Sequence, residues 1–215
     1  MMTDIAALVG EIAARSSGRD RFVVAVAGAP GSGKSTLAEQ LVVQLNAEGH
    51  GPAEVLPMDG YHLDNTVLDA RGWRAVKGAP QTFDAAGFAV MLKRIRDAHA
   101  PVVVPVFDRS IDIARAGARV IGTDVRIVVV EGNYLLLDDP AWSVNRACFD
   151  LSLFLDVPVA ILEERLIERW LTYGLSRDAA EARARGNDLT NGRLVASRSV
   201  DADFRITMDE GSDTI

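Results

Sequence analysis

Apolar residues fall along this chain in short unbroken runs, separated by longer amphipathic stretches. The first run, residues 21–28 (RFVVAVAG), is almost wholly Val and Ala, the pattern of a strand buried on both faces. Residues 36–49 place Leu37, Leu41 and Leu45 on one stripe with Gly49 as a stop, which predicts a helix. Further strands are predicted over 53–59, 101–110, 125–137 and 151–158, with a short last one over 203–209. Pro105 removes a ladder donor and so predicts an edge or a bulge inside 101–110. Helices are predicted over 85–99 and 161–174, and Ser176 is placed to cap another over 177–186. Near the N-terminus Ile5, Leu8, Val9 and Ile12 keep helical spacing. Strands alternating with helices imply an α/β chain with a mostly parallel sheet wrapped by helices.

Composition narrows the function. The 215 residues fit one α/β domain, with 48% apolar and 25% charged residues. A net charge of −7 and no block of Lys and Arg argue against a nucleic-acid partner, so any affinity for phosphate must come from local geometry. Cys148 is the only cysteine, which excludes an intrachain disulfide or a cysteine metal cluster, and it reads as core filler. The start lacks the basic and apolar regions of a signal peptide, and no apolar run has the length of a membrane span. A cytoplasmic protein without a membrane partner is the expectation; monomer and homodimer both stay open.

The chemistry begins at Gly28-Ala29-Pro30-Gly31-Ser32-Gly33-Lys34-Ser35-Thr36, between the first strand and the first long helix. It matches the phosphate-loop pattern G-x-x-x-x-G-K-[ST] at every fixed position. Glycines let backbone N–H groups curl around a β-phosphate, Lys34 adds a compact charge, and the Ser35 hydroxyl is placed to ligate Mg²⁺. The helix behind points its positive end at the same spot. A GTPase guanine reader (N-K-x-D) and a transporter L-S-G-G-Q are missing. The D-x-x-G at Asp69–Gly72 follows no strand.

Asp59 ends the second predicted strand, where parallel sheets gather their site residues. A carboxylate there can orient an attacking hydroxyl and take its proton, although Asp-Gly is also a common turn. Glu131 ends the strand RIVVVEG in the manner of a Walker B acid, so Asp59, Glu131 and Ser35 are candidates around one metal. Arg165 and Arg169 lie four apart on one helix face, beside an apolar stripe of Leu162, Leu166 and Trp170. They read either as a solvated face or as lid arginines over a γ-phosphate.

With GAPGSGKST, MDGYH, KGAPQTFD (77–84), VFDR (106–109), VVVEGNYLL (128–136) and NGRLVASRSVDADFRI (191–206), the chain resembles the uridine kinase and pantothenate kinase branch of the P-loop kinases. The similarity runs from about residue 22 to 206. It extends to bacterial proteins labelled, by similarity, nucleoside/nucleotide kinase-like or fructose-transport-system kinases. The resemblance implies a P-loop NTPase fold, three-layer α/β/α, with a five-stranded sheet and a helical lid at about 161–190. It implies ATP and Mg²⁺ as cofactors, a small-molecule hydroxyl acceptor, and Asp59 as catalytic base. By the same resemblance Tyr61, His62, Lys77, Phe83, Arg109 and Tyr134 would line the acceptor pocket and Arg198 would lie near the adenine. The segment FDRSIDIARAG lacks the aromatic residues of uridine kinases, which leaves sugar, polyol, nucleoside and pantothenate-like acceptors open. A nucleotide-dependent regulatory protein or a bare NTPase is the competing expectation.

Overall fold

All but one of the predicted apolar runs become strands of one parallel sheet in a computed structural model, which describes residues 4–97 and 99–207. The strands are β1 (Phe22–Gly28), β2 (Ala53–Pro57), β3 (Val102–Asp108), β4 (Ile113–Ile121), β5 (Ile127–Gly132), β6 (Leu151–Asp156) and β7 (Phe204–Thr207). The helices are α1 (Ile5–Ser16), α2 (Lys34–Ala47), α3 (Asn65–Ala70), α4 (Ala85–Asp97), α5 (Pro140–Ser143), α6 (Val159–Thr172), α7 (Arg177–Arg183) and α8 (Leu189–Arg198). The main sheet has the order β2-β5-β1-β6-β7, and every neighbouring pair is parallel.

β1 is buried along its whole length because both of its faces are covered. Phe22, Val24 and Val26 pack with Leu8, Val9 and Ile12 of α1 and Leu37, Leu41 and Leu45 of α2. Val23, Ala25 and Ala27 face Phe88, Leu92 and Ile95 of α4 and Val195 of α8. The result is a three-layer α/β/α arrangement, and the near-continuous Val/Ala run is what a strand with no solvent face requires.

Pairing register then positions the chemistry. Glu131 lies opposite Val26 of β1 and Pro57 of β2. The phosphate loop, Glu131 and Asp59 therefore leave adjacent strands within two residues of one another, at the carboxyl edge where ligands of such sheets gather.

Several elements differ from the expectation. The strand over 53–59 stops at Pro57, and Met58–Tyr61 forms a 3₁₀ turn. Met58 packs so closely on Gly132 that a Cβ there would meet the Met58 Cβ at 2.5 Å. The strand over 125–137 likewise ends at Gly132. The run 101–110 lies outside the main sheet and pairs antiparallel with β4, which has no counterpart among the predicted strands. A register shift between Val104 and Val106 places the expected bulge at Pro105. β7 completes the five strands; the last two residues of the run 203–209 lie outside the described residues.

Trp142 of α5, almost fully buried, joins Tyr134, Phe83 and Phe88 in an aromatic cluster with centroid separations of 5.3 to 6.2 Å. This cluster backs the cavity beside Asp59. Trp142→Ala is expected to destabilise the fold by about 3–5 kcal/mol, read as a lower midpoint of urea unfolding. An unchanged midpoint would mean that the cluster contributes little.

Candidate active site

The loop after β1 has the shape an anion cradle needs. Gly31 and Gly33 adopt φ of 81° and 91°, a region costly to residues with a Cβ. A Cβ on Gly28 would meet Ser32 Oγ at 2.6 Å and the Leu155 carbonyl at 3.1 Å. Ser32 Oγ is itself buried and without a hydrogen-bond partner, and α2 begins at Lys34 with its free N–H groups facing the loop. These features fit a triphosphate.

Beside the loop, Ser35 Oγ donates to Glu131 Oε2 at 3.1 Å. Burial raises the Glu131 pKa, with Lys34 opposing and Asp59 reinforcing. Burial also acts to raise Asp59, but the field of His62, Arg109, Lys34 and Arg169 outweighs it and holds that carboxyl below its ordinary value. Two neighbouring carboxylates are thus pushed in opposite directions, the usual basis for different roles. Burial lowers Lys34, and Glu131 and Asp59 counter that. Among the described residues no three His, Cys, Asp or Glu side chains form a metal cluster. The oxygen donors Ser35, Glu131 and Asp59 nevertheless suit Mg²⁺, which binds few protein ligands and keeps water and phosphate oxygens.

A narrow cavity of about 90 Å³ opens here, lined on the loop side by Pro30, Lys34, Asp59 and Arg169. Arg109, at the tip of the β3–β4 hairpin, donates from Nη2 to Asp59 Oδ2 at 2.5 Å. His62 also lines it, with its ring centroid 4.0 Å from that of Phe83 and 4.5 Å from that of Phe107. His62 Nδ1 lies 2.7 Å from the Asp59 carbonyl oxygen, and burial depresses the pKa of the ring against the pull of Asp59. Lys77 Nζ donates to Asn65 Oδ1 and the Asp112 carbonyl and pairs with the Asp112 carboxylate at 2.9 Å, so it ties the hairpin turn to α3.

Other sequence candidates fall elsewhere. Tyr61 packs edge-on against Phe88 in the core, where burial pushes its phenol up. Tyr134 is fully buried, and its hydroxyl donates to the Gly78 carbonyl, holding a loop of the cavity wall without lining it. Arg165 does not line this cavity, although Arg169 one turn later does. Residues that sequence reasoning passed over complete the wall: Asn133, Trp170, Arg183 and Asp188. Trp170 Nε1 donates to Asp188 Oδ2 at 2.6 Å, and Asp188 also pairs with Arg169. The wide helical turn Ala184–Asp188 supplies that carboxylate, and no periodicity in the sequence announces it.

Across β1, on the β6 side of the loop, lies an apolar cavity of about 390 Å³. Ala29, Val157, Leu162, Leu189, Gly192 and Ala196 line it. Arg198 lies outside this cavity, giving a hydrogen bond to the Asp138 carbonyl; Arg193 lines it instead.

Gly60 has its own role here. A Cβ on it would clash with the Pro105 carbonyl, because the hairpin presses its bulge against the turn that carries Asp59. Gly60→Ala is expected to cost about 1–3 kcal/mol of stability and to shift Asp59, measured as a lower melting temperature with reduced turnover. A variant as stable and active as the wild type would show that this contact yields freely.

A phosphate loop, an acid ending the neighbouring strand and a second acid one strand further define a P-loop kinase architecture. No protein-family model matches the chain. Its similarity to known proteins is nonetheless extensive. It is 37% identical over 191 residues to uncharacterized protein YggC of Escherichia coli, covering 88% of this chain and 79% of the relative. It is 34% identical over 196 residues to the "putative uridine kinase C227.14" of Schizosaccharomyces pombe, covering 86% and 83%. The crystal structure of a "putative fructose transport system kinase" from Silicibacter sp. TM1040 is 48% identical and superposes with a TM-score of 0.90 over 95% of this chain and 99% of that one. The chain belongs to the P-loop kinase family of uridine kinase-like proteins. No helix among the described residues is long and apolar enough to cross a membrane.

Proposed function

We propose that the protein transfers the γ-phosphoryl group of ATP to a hydroxyl of a small polar metabolite. The observation carrying this reading is the pair of unlike cavities flanking the phosphate loop. One is apolar and of a size for a purine; the other is polar and holds Asp59. An ATPase that only hydrolyses or senses nucleotide has no need of the second.

Asp59 accepts the proton of the attacking hydroxyl as the new oxygen–phosphorus bond forms and the bridging bond to the β-phosphate breaks, releasing ADP. Lys34 and Arg169 stabilise the charge on the moving phosphoryl group. Ser35 and Glu131, with Asp59 nearby, would hold Mg²⁺, which supplies neutralising charge to the triphosphate oxygens. The helical segment at about 161–190, carrying Arg165 and Arg169, is the proposed lid, and its closure excludes water that would otherwise compete. The base of the nucleotide is assigned to the apolar cavity, with Arg193 at its rim in the place first given to Arg198.

The test is ADP release with Mg–ATP across sugars, polyols, hydroxy acids, nucleosides and pantothenate. Release that depends on one acceptor class supports the reading. Release indifferent to every acceptor would mean a bare NTPase instead.

A further inference from the structure

Resting on the kinase reading, the geometry points to an acceptor that carries its own anionic group, a carboxylate or phosphate monoester, with Arg109 as the residue that reads it. Asp59 is only 18% exposed, and one of its two carboxylate oxygens is taken by the Arg109 guanidinium. A charge-assisted bond of this kind is among the stronger ones in a protein. It engages Oδ2 and lowers the basicity that proton transfer needs. A neutral polyol that inserts its hydroxyl beside Asp59 offers the displaced guanidinium only uncharged acceptors, weaker than the carboxylate it leaves. An anion on the same small molecule does, and it lets Arg109 exchange one carboxylate for another group of the same charge.

The rest of the cavity agrees with this. Arg109 is the accessible partner, since its side chain is 46% exposed at a hairpin tip, whereas Lys77 is buried and already saturated by Asn65 and Asp112. Arg183 stacks on Trp170, and its buried Nε has no partner; the buried Asn133 Oδ1 has none either. The wall therefore keeps a spare donor and a spare acceptor for a polar ligand as well as the gate at Asp59. Its other face, His62, Phe83 and Phe107, is a closely packed set of tilted rings, which suits a small carbon skeleton.

The experiment uses matched acceptors: glycerate against glycerol, gluconate against glucitol, and fructose 6-phosphate against fructose. Binding to the Mg–ADP-loaded protein is measured by calorimetry, and ADP release is measured with Mg–ATP. At least one anionic member is expected to exceed its neutral partner by about 10- to 100-fold in kcat/KM, with the carboxylate and phosphate arms telling the two anion sources apart. Arg109→Gln should remove that preference, while Arg109→Lys, which keeps the charge, should restore part of it. Turnover of these acceptors in which no anionic member exceeds its neutral partner overturns the inference and leaves the kinase reading standing. So does a fall in both members alike in Arg109→Gln, which would mark a structural role for the hairpin tip. Anion binding that depends on Arg109 without any ADP release supports the anion pocket and overturns the kinase reading. If no member binds or stimulates release, both fall.

Discussion

Asp59→Asn is expected to lower acceptor-dependent ADP release by about 10²- to 10⁴-fold while the protein still binds Mg–ATP. The amide keeps the shape of the carboxylate and much of its hydrogen bonding but cannot take a proton, so the loss belongs in kcat rather than in folding. The Arg109 bond also becomes weaker, because its acceptor is no longer charged. The pH dependence follows from the same geometry. Asp59 is held below its ordinary value of 3.8, with burial outweighed by His62, Arg109, Lys34 and Arg169. A depressed carboxylate contributes stability and a competent base above its unfolded pKa, and both are lost as pH falls through the lower folded value. Turnover should therefore show no acid limb from Asp59 across the neutral range. A steady-state pH profile with an essential acidic group titrating near neutrality would instead assign the base to another residue, as would an Asp59→Asn variant of full activity.

Lys34→Ala should cost about 10²- to 10³-fold in turnover and also weaken nucleotide binding. Its ammonium stands half-buried at the first turn of α2, close to Glu131 and Asp59, and it is the compact charge nearest the cradle formed by Gly28, Gly31 and Gly33. Removal leaves those two carboxylates facing a triphosphate with one cation fewer, so like-charge repulsion adds to the lost attraction. Lys34→Arg is expected to rescue little, because a planar guanidinium is larger and fixed in its fork where the site calls for a point charge. Thermal shift reads the binding term: Mg–ATP should stabilise the wild type clearly more than either variant. Equal stabilisation of all three proteins would place the triphosphate elsewhere.

What reads directly from the chain is what neighbouring residues decide among themselves. The phosphate loop is contiguous, and its glycines, lysine and serine act through backbone geometry within nine residues. β1 and β5 announce double burial by their unbroken apolar runs, and α2 announces a helix by its leucine stripe. Pro105 signals its bulge through a missing N–H, and Ser176 caps α7 by accepting from the Ala179 N–H. Asp59 and Glu131 stand out because each closes a strand-like run, and parallel strands put such ends on one edge.

Contacts between distant segments were settled only in the folded molecule. β4 was illegible because its sequence, IARAGARVI, mixes Gly, Ala and Arg along a mostly exposed ribbon, so no burial period marks it. Arg109 meets Asp59 across 50 residues, Lys77 meets Asp112 across 35, and Trp170 meets Asp188 across 18. None of these pairings is favoured by local spacing, and each depends on how a hairpin or a helical turn packs back over the sheet edge. Tyr61 and Tyr134 show the converse, since an aromatic residue in a motif can as readily turn into the core as toward a ligand. Local stereochemistry thus wrote the phosphate loop into the sequence, whereas long-range packing alone chose which side chains surround the cavity beside Asp59.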